Sequence, residues 1–235
     1  MHEHAPRLQQ GDSKLNGLFR RLPGRPWRLG IEDECLRWYP EIGIGYFPVS
    51  VSRSPYDQAY FDRFARQADE PIGKRLMAAR VAFVDKVWGL DLLDYGIGSG
   101  AFIERRNQFG RRTYGYDINA AGIAWLKARM LWLNVPIHNE PIRAMSLWDV
   151  LEHIDDFPAV LDKVSDWLFL SLPIFRDADH VLRSKHYRKD EHFWYFTRRG
   201  LINVMADLGF ELIIESDMEI KAGREDIGAF AFKRV

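Results

Sequence analysis

The sequence has one cysteine, no net charge and no long apolar run. The lone Cys35 among 235 residues excludes an internal disulfide and a zinc site built from several thiolates. Lys+Arg and Asp+Glu each number 33, so the zero formal charge gives no whole-domain footprint for nucleic acid, although a local basic patch stays open. No apolar stretch reaches the length of a membrane span, and the N-terminus lacks the apolar core of a signal peptide. We therefore expect a cytoplasmic protein.

A glycine-rich stretch stands out among the features that are present. A short apolar segment ends before Gly96 and predicts a buried strand. Gly98 and Gly100 follow at alternate positions, and residues 101–107 predict a helix start, so the backbone can approach a ligand closely here. The spacing G-x-G-x-G is not the dinucleotide fingerprint, and no G-K-[ST] follows. Asp94 beside the turn would repel a pyrophosphate and suit an ammonium or sulfonium ligand, whereas an ordinary tight turn is the alternative.

A second short strand is predicted over residues 112–119, and it ends in an acid, Asp117. This acid lies about 20 residues after the glycine turn, where an acid meets ribose hydroxyls in nucleoside-binding α/β sheets. Asp117 could instead cap a helix over residues 120–133, a role for which Asn119 competes. Together with Asp94 and the glycines, the pattern favours the ribose role.

Four short segments form a recognisable series of motifs. Residues 92–100 (LLDYGIGSG) and 115–117 (GYD) look like the first two motifs of class I S-adenosylmethionine-dependent methyltransferases. Residues 148–154 (WDVLEHI) resemble the fourth-strand motif of the branch that contains the ubiquinone-biosynthesis O-methyltransferases. Residues 192–197 (HFWYFT), with the later Gly-Phe pair at 209–210, are similar to that branch's segment before its last helix and hairpin. The motifs are specific to the superfamily and not to a substrate.

The resemblance implies S-adenosyl-L-methionine as the methyl donor, released as S-adenosyl-L-homocysteine. It implies an α/β fold, a Rossmann-like seven-stranded mixed sheet with helices on both faces and a C-terminal antiparallel hairpin. Residues 1–70 would form an N-terminal extension with lid-like helices, and residues 71–235 the methyltransferase domain. The residues implied in cofactor binding lie at the ends of the first, second and fourth strands: Asp94, Tyr95, Gly96, Ile97, Gly98, Gly100, Asp117, Ile118 and Asp149.

The order of apolar and polar segments predicts a doubly wound sheet with alternating strands and helices. Further helices are expected over residues 72–88, 157–164 and 197–208. Further strands are expected over residues 142–150, 167–172, 210–216 and 227–233, with a weak third strand over 136–139. Residues 37–54 predict a hairpin or an ordered loop.

The N-terminal part gives weaker signals. Residues 1–16 are expected to be frayed, although His2 and His4 could bind a metal. Ser54 and Pro55 predict the start of a helix whose aromatic stripe either packs in the core or brings Tyr56 to the cofactor or substrate. The rest of that stripe is Tyr60, Phe61 and Phe64, of which Tyr60 shares the same two alternatives.

Glu152 and His153 directly follow the fourth strand, where the acceptor should approach the methyl group. A general base is needed only if the acceptor carries a proton at neutral pH, as a hydroxyl does, and histidine has a suitable pKa. His153 could equally cap or pack against the next helix. Together with His192, these residues are the candidate catalytic groups.

Residues 176–199 are basic and aromatic and, by the resemblance, form part of the acceptor site. Its cations either recognise an anionic acceptor or form a solvated loop; they are Arg183, Lys185, Arg188 and Lys189. Trp194 and Tyr195 either wall the pocket or pack in the core. The local histidines and acids match no compact metal-ligand spacing, so no metal site is expected; they are His180, His186, His192, Asp177 and Asp179.

Two absences bear on the acceptor. The fourth strand is not followed by the D/N-P-P-Y run of amino-DNA methyltransferases, and no Pro-Cys nucleophile is present. DNA base methylation by either route is therefore disfavoured. We expect methyl transfer to an oxygen, less so a nitrogen or carbon, of a small-molecule or sugar-like acceptor. A protein- or nucleic-acid-modifying methyltransferase and a non-catalytic cofactor-binding scaffold are the alternatives, and the oligomeric state stays open.

Overall fold

The structure, a computed structural model of the chain, describes residues 27–31, 34–48 and 56–235. The expectations for residues 1–16, with His2 and His4, and for Ser54 and Pro55 lie outside the described residues.

A mixed β-sheet organises the described chain. Its strands are β1 (Trp27–Ile31), β2 (Glu34–Tyr39), β3 (Ile44–Tyr46), β4 (Leu92–Tyr95), β5 (Thr113–Tyr116), β6 (Ile142–Trp148), β7 (Val164–Phe175), β8 (Trp194–Thr197), β9 (Phe210–Ser216) and β10 (Ile227–Arg234). The central strands lie in the order β5–β4–β6–β7–β10–β9. The first four of these are parallel, β10 is antiparallel to β7, and β9 is antiparallel to β10. This arrangement confirms the expected α/β fold class with its C-terminal hairpin.

The third strand expected over residues 136–139 is wrong in position. Those residues follow or overlap a 3-10 turn, Val135–Ile137. Pro136 has no N–H to donate to a strand ladder, which explains why the segment does not pair. The outer edge of β5 is met instead by a single parallel bridge between Gly115 and Trp132. At the edge of the sheet where the expected third strand would lie, the described chain has this single bridge.

A smaller antiparallel extension grows from the end of β7. The last two residues of β7, Ile174 and Phe175, pair with β8 in the parallel direction. Strand β8 then pairs with β3, β3 with β2 and β2 with β1, each pair antiparallel. The residues of β2 and β3 that pair with each other, 37–39 and 44–46, lie within the segment for which a hairpin or an ordered loop was expected, although β2 begins before it. The sequence analysis did not predict β8, which carries the aromatic residues that follow His192.

Eight α-helices connect the described strands: α1 (Gln58–Asp69), α2 (Pro71–Asp85), α3 (Ala101–Asn107), α4 (Ala120–Ala128), α5 (Phe157–Leu161), α6 (Ala178–Arg183), α7 (Arg198–Asp207) and α8 (Met218–Lys221). Side-chain caps fix five of the starts, and three of these caps bear on the site. Asp57 accepts from the Tyr60 N–H at α1, Asn119 from the Ala121 N–H at α4, and Thr197 from the Gly200 N–H at α7. Asn119, and not Asp117, is thus the cap of α4. None of these described helices is long and apolar enough to cross a membrane.

Both faces of the central sheet are buried. Alternate residues of β6 enter different clusters: Met145 and Leu147 pack on one face, and Ala144 and Trp148 on the other. A parallel sheet covered in this way leaves its polar functional groups to the strand ends. In open α/β sheets ligands bind at the carboxyl ends of the strands, where the chain order reverses. Here that edge is formed by the ends of β5, β4 and β6.

Candidate functional site

The turn after β4 is made of glycines in the left-handed region. A Cβ on Gly96 would lie 2.5 Å from Val150, and one on Gly100 would lie 2.6 Å from the Trp125 ring. Glycine at these two positions therefore lets the Val150 and Trp125 side chains pack directly against the backbone of the turn. Gly98, with φ of 56°, differs, because the nearest atom to its Cβ position is Phe64 at 3.9 Å. The backbone at Gly98 is therefore the part of the turn that a ligand can approach.

Asp94 lies beneath this turn and does not open to solvent. Its side chain is 1% exposed and accepts a hydrogen bond of 2.7 Å from the Ser146 hydroxyl. Burial raises the pKa of Asp94 to about 7, although the Ser146 bond and Arg80 oppose the rise. Its charge can act on a nearby cation through the turn. The Ile97 side chain is buried as well, so only its backbone remains for a ligand.

Asp117 follows β5 and is bound to the glycine turn. Its carboxylate accepts from the Asn119 N–H at 2.8 Å. Burial raises the pKa of Asp117, whereas backbone N–H groups of Asn119, Ile97, Ile118 and Gly98 oppose the rise. The neighbouring Ile118 side chain is 67% exposed, an unusual position for a large apolar residue that packing leaves open. The rings of Tyr95 and Tyr116, at the ends of β4 and β5, are in tilted contact with centroids 4.7 Å apart.

Asp149 follows β6 and belongs to a partly buried network of four charges, in which Arg80 and Glu219 are the buried members. Its carboxylate accepts from Arg80 at 3.0 Å and from Arg224 at 2.8 and 3.0 Å. Both arginines also bind Glu219, at 2.7 and 2.6 Å, and Glu219 is fully buried. Burial opposes ionisation of Asp149, but the Arg224 and Arg80 guanidiniums hold its pKa below the usual range. Its role in cofactor binding stays a prediction, next to this structural role.

The sequence analysis missed the other three members of this network. Arg80 offered one signal, because it lies on the apolar face of α2 between Leu76 and Val84, where an arginine needs a buried partner. Nothing local in the sequence marks Glu219 or Arg224 as that partner.

The structure brings Glu152, His153 and His192 together, although His192 lies far along the chain. Glu152 and His153 form the 3-10 turn after β6, and the Phe193 N–H donates to the Glu152 carbonyl at 2.8 Å. The rings of His153 and His192 meet edge to face, with centroids 4.5 Å apart. Each of the three residues offers one ligand-type atom, and these atoms lie within 4.8 Å of one another. Glu152 and His192 are each 2% exposed.

Burial disfavours the charged form of each residue of this triad. It raises the pKa of Glu152, with Asp149 adding to the rise, and it lowers the pKa of His153. It lowers the pKa of His192 to about 2, an effect to which His153 contributes. Among the described residues, the buried Glu152 Oε2 and His192 Nδ1 have no hydrogen-bond partner. His153 Nδ1 lies 3.1 Å from the Glu191 carbonyl, so Nδ1 carries the proton and Nε2 the lone pair.

Helix α1 lies against the glycine turn and the end of β5. The Asn119 side chain donates to the Asp57 carbonyl at 3.0 Å and ties the start of α1 to the end of β5. The rings of Tyr56, Tyr60 and Phe64 follow one another along α1 and the residues before it, with centroids 5.0 and 4.7 Å apart. Burial raises the pKa of Tyr56, and the carboxylates of Glu191, Asp117 and Glu152 add to the rise. Tyr56 is therefore within electrostatic reach of both the ribose-type acid and the triad.

The remaining histidines of the acceptor segment do not join the triad. His180 accepts from the Arg176 N–H and lies 3.3 Å from Asp226, and His186 Nε2 lies 3.0 Å from the Glu225 carbonyl. Two of the basic residues form ion pairs, Lys185 with Glu225 and Arg188 with Glu191. Trp194 and Tyr195 are each 1% exposed and pack in the core.

Comparison with known proteins agrees with this geometry. The model of the methyltransferase domain family matches residues 56–215. The ubiquinone biosynthesis O-methyltransferase of Rhodopseudomonas palustris (strain BisB5) is 26% identical in a match that covers 49% of this chain and 58% of the relative. The chain thus spans a little over half the length of that relative.

Two solved structures share the fold. The magnesium protoporphyrin IX methyltransferase of Synechocystis PCC 6803 with bound SAM has a TM-score of 0.54 at 16% identity, over 77% of this chain and 93% of that one. A geranyl diphosphate methyltransferase in complex with SAM has a TM-score of 0.54 at 17% identity, over 82% and 97%. At these identities the likeness extends to the fold alone.

Proposed function

The chain belongs to the methyltransferase domain family, and on this premise we propose that it transfers a methyl group from S-adenosylmethionine to an oxygen of a small-molecule or sugar-like acceptor. When bound, S-adenosylmethionine supplies a methyl group that its sulfonium already activates. The protein therefore has to hold the donor, align the acceptor and exclude water.

The observation that carries the proposal is the shape and charge of the edge formed by β4 and β5. Gly98 leaves its backbone open to a ligand, and Asp117 lies at the strand end where ribose hydroxyls bind in such sheets. The exposed Ile118 next to it offers an apolar surface that an adenine ring would cover. Asp94 beneath the turn favours a ligand that carries an ammonium or sulfonium group, because a cation offsets its buried charge. These residues fit the proposed donor.

The acceptor side is the triad beyond β6. A hydroxyl acceptor keeps its proton at neutral pH, so an oxygen methyltransferase benefits from a group that removes or polarises that proton. Of the triad, His153 presents the lone pair of Nε2, since its Nδ1 proton is held by the Glu191 carbonyl. Tyr56 lies within electrostatic reach of Glu152, and together with Tyr60 it would shield the reacting groups from water.

Calorimetric titration with S-adenosylmethionine tests the donor site. We expect micromolar binding by the wild type and a loss of at least about tenfold, or about 1.4 kcal/mol, for Asp117→Asn and for Asp94→Asn. The matched control is Asp217→Asn. Asp217 directly precedes α8, and its carboxylate forms a surface ion pair with Lys221. A folded wild type that does not bind S-adenosylmethionine would refute the proposal.

Transfer itself is measured with a methyl-labelled donor and a panel of hydroxyl, amine and carboxylate acceptors. An oxygen acceptor that is methylated by the wild type and at least about tenfold more slowly by Glu152→Gln, at unchanged donor affinity, supports the assigned chemistry. Turnover on amines alone would contradict the oxygen assignment. Donor binding without turnover on any acceptor would favour the scaffold alternative.

A further inference from the structure

We propose that Glu152, His153 and His192 form a binding site for one divalent transition-metal ion, with Zn²⁺ the best match to its ligands. The local histidine spacing gave no reason to expect a metal site, because His192 reaches the other two residues only through the fold. The ion's role in catalysis rests on the proposed function, whereas its binding does not.

The geometry of the triad suits a metal ion. Its three candidate ligand atoms, one from each residue, lie within 4.8 Å of one another. Zn²⁺ lies about 2.0–2.2 Å from nitrogen and oxygen ligands, which places tetrahedral ligands roughly 3.4 Å apart. Side-chain rotations that bring the three atoms inward by about an ångström would complete this arrangement.

Two buried polar atoms at the triad lack protein partners, which is the second observation in favour of a ligand. Glu152 Oε2 and His192 Nδ1 make no hydrogen bond to any described residue, and both side chains are 2% exposed. Such atoms are rare in folded proteins and call for an unseen partner. No ion pair joins Glu152 to a lysine or arginine of the described chain: Arg188 binds Glu191, and Arg224 binds Asp149 and Glu219. A divalent cation would give both atoms a partner.

The surroundings of His153 resemble those of a metal-binding histidine. Its Nδ1 proton lies against the Glu191 carbonyl at 3.1 Å, which fixes the ring and directs the Nε2 lone pair away from that contact. Backbone carbonyls commonly hold metal-binding histidines in this way.

The ligand set defines the class of metal. Two imidazoles and one carboxylate match the three protein ligands of zinc enzymes that leave a fourth position open, and they suit harder cations such as Mg²⁺ poorly. In the proposed reaction, an acceptor hydroxyl in the open position would ionise more readily and lose its proton to solvent. With the ion bound, the His153 Nε2 lone pair would bind the metal, and the ion would act on the acceptor hydroxyl in its place.

Metal titrations of the chelator-treated full chain test the site. Zn²⁺ affinity is measured by competition with a chromophoric chelator, and Co²⁺ is added as a spectroscopic probe of coordination. We expect one equivalent to bind with micromolar or tighter affinity, and Glu152→Gln and His192→Gln each to weaken binding at least about tenfold. Two controls should bind like the wild type: His186→Gln, and the double variant His2→Gln/His4→Gln, which removes the other candidate metal ligands near the N-terminus.

Each outcome decides the proposal. Absence of micromolar binding by the wild type overturns it, as does binding that is lost in the N-terminal double variant and kept in the triad variants. If the triad variants fail to fold, X-ray absorption of the wild-type Zn²⁺ complex decides, since the site requires two imidazole nitrogens and at least one oxygen. S-adenosylmethionine titrations of the same samples separate the two proposals. Metal binding without donor binding supports the metal site and refutes the proposed function. Donor binding without metal binding refutes the metal site and supports the proposed function.

Discussion

Replacing Asp94 with asparagine should stabilise the protein, and the gain should depend on pH. The carboxyl is 1% exposed, and its pKa in the folded chain is about 7, against 3.8 for the ordinary group. Because the folded state holds the proton more tightly than the unfolded chain, the stability associated with this group is fully present below pH 4. It is lost as pH rises towards 7. Asparagine keeps the shape and still accepts the Ser146 hydrogen bond, but it does not ionise.

The size of the effect follows from the two pKa values. A gap of about 3 pH units at about 1.36 kcal/mol each gives about 4 kcal/mol, the upper estimate for the cost of the ionised carboxylate at pH 8. Near pH 4 the folded carboxyl is protonated, so Asp94→Asn should differ little from the wild type. The free-energy difference should grow through pH 5 and 6 and become constant above about pH 7.

Urea unfolding of both proteins at half-unit steps from pH 4.5 to 8 measures this difference. Asp217→Asn is the control, because that surface carboxyl has its pKa lowered by a hydrogen bond from Lys221 and should give no rise across this range. Parallel stability curves for the wild type and Asp94→Asn would refute the reasoning, since they would mean that burial does not perturb Asp94. S-adenosylmethionine binding should meanwhile weaken, so stability and function would change in opposite directions.

Two further predictions concern the turn and the buried network. Gly98→Ala should fold, with a left-handed backbone strain of about 1 kcal/mol, but should lose donor affinity in calorimetry. Gly100→Ala should unfold at a lower temperature, because its Cβ would lie 2.6 Å from the Trp125 ring. Equal melting temperatures for the two variants would contradict this difference. Glu219→Gln should cost about 3–5 kcal/mol in urea unfolding, because it leaves a buried cluster with two arginines and one carboxylate. The control Glu225→Gln removes a surface ion pair with Lys185 and should cost less than about 1 kcal/mol; similar losses in both variants would show that the network is not a special source of stability.

The glycine turn after β4 could be predicted from the sequence because its signals are local. An apolar run, alternating glycines and a helix start all lie within residues 92–107, and α3 has the expected bounds, Ala101–Asn107. Strand β9 likewise matches its expected bounds, because Gly209 ends the preceding helix and apolar residues then alternate with polar ones. Each of these features depends on neighbours a few residues away.

The triad of Glu152, His153 and His192 could be predicted only in part, because its contacts depend on pairing between strands that lie far apart in the sequence. Its three candidate residues could be named, but not their contact. That contact arises where β8 joins the end of β7, which places the Phe193 N–H on the Glu152 carbonyl and His192 beside His153. The aromatic run of β8 has no strand alternation, since its first three residues are all buried. The sequence therefore indicated the groups and left their geometry open.

The buried charges explain how the two halves of the site are held in one frame. Asp149 adopts a left-handed backbone, with φ of 58°, immediately before the turn that carries Glu152 and His153. A non-glycine residue keeps such a conformation only where its surroundings fix it. Here two arginines, Arg80 and Arg224, donate hydrogen bonds to the Asp149 carboxylate. One of them, Arg80, comes from α2, which leads into β4 and the glycine turn. The same ion-pair network therefore connects the helix that precedes β4 to the turn that carries Glu152 and His153, which argues that it positions these elements as well as stabilising the fold.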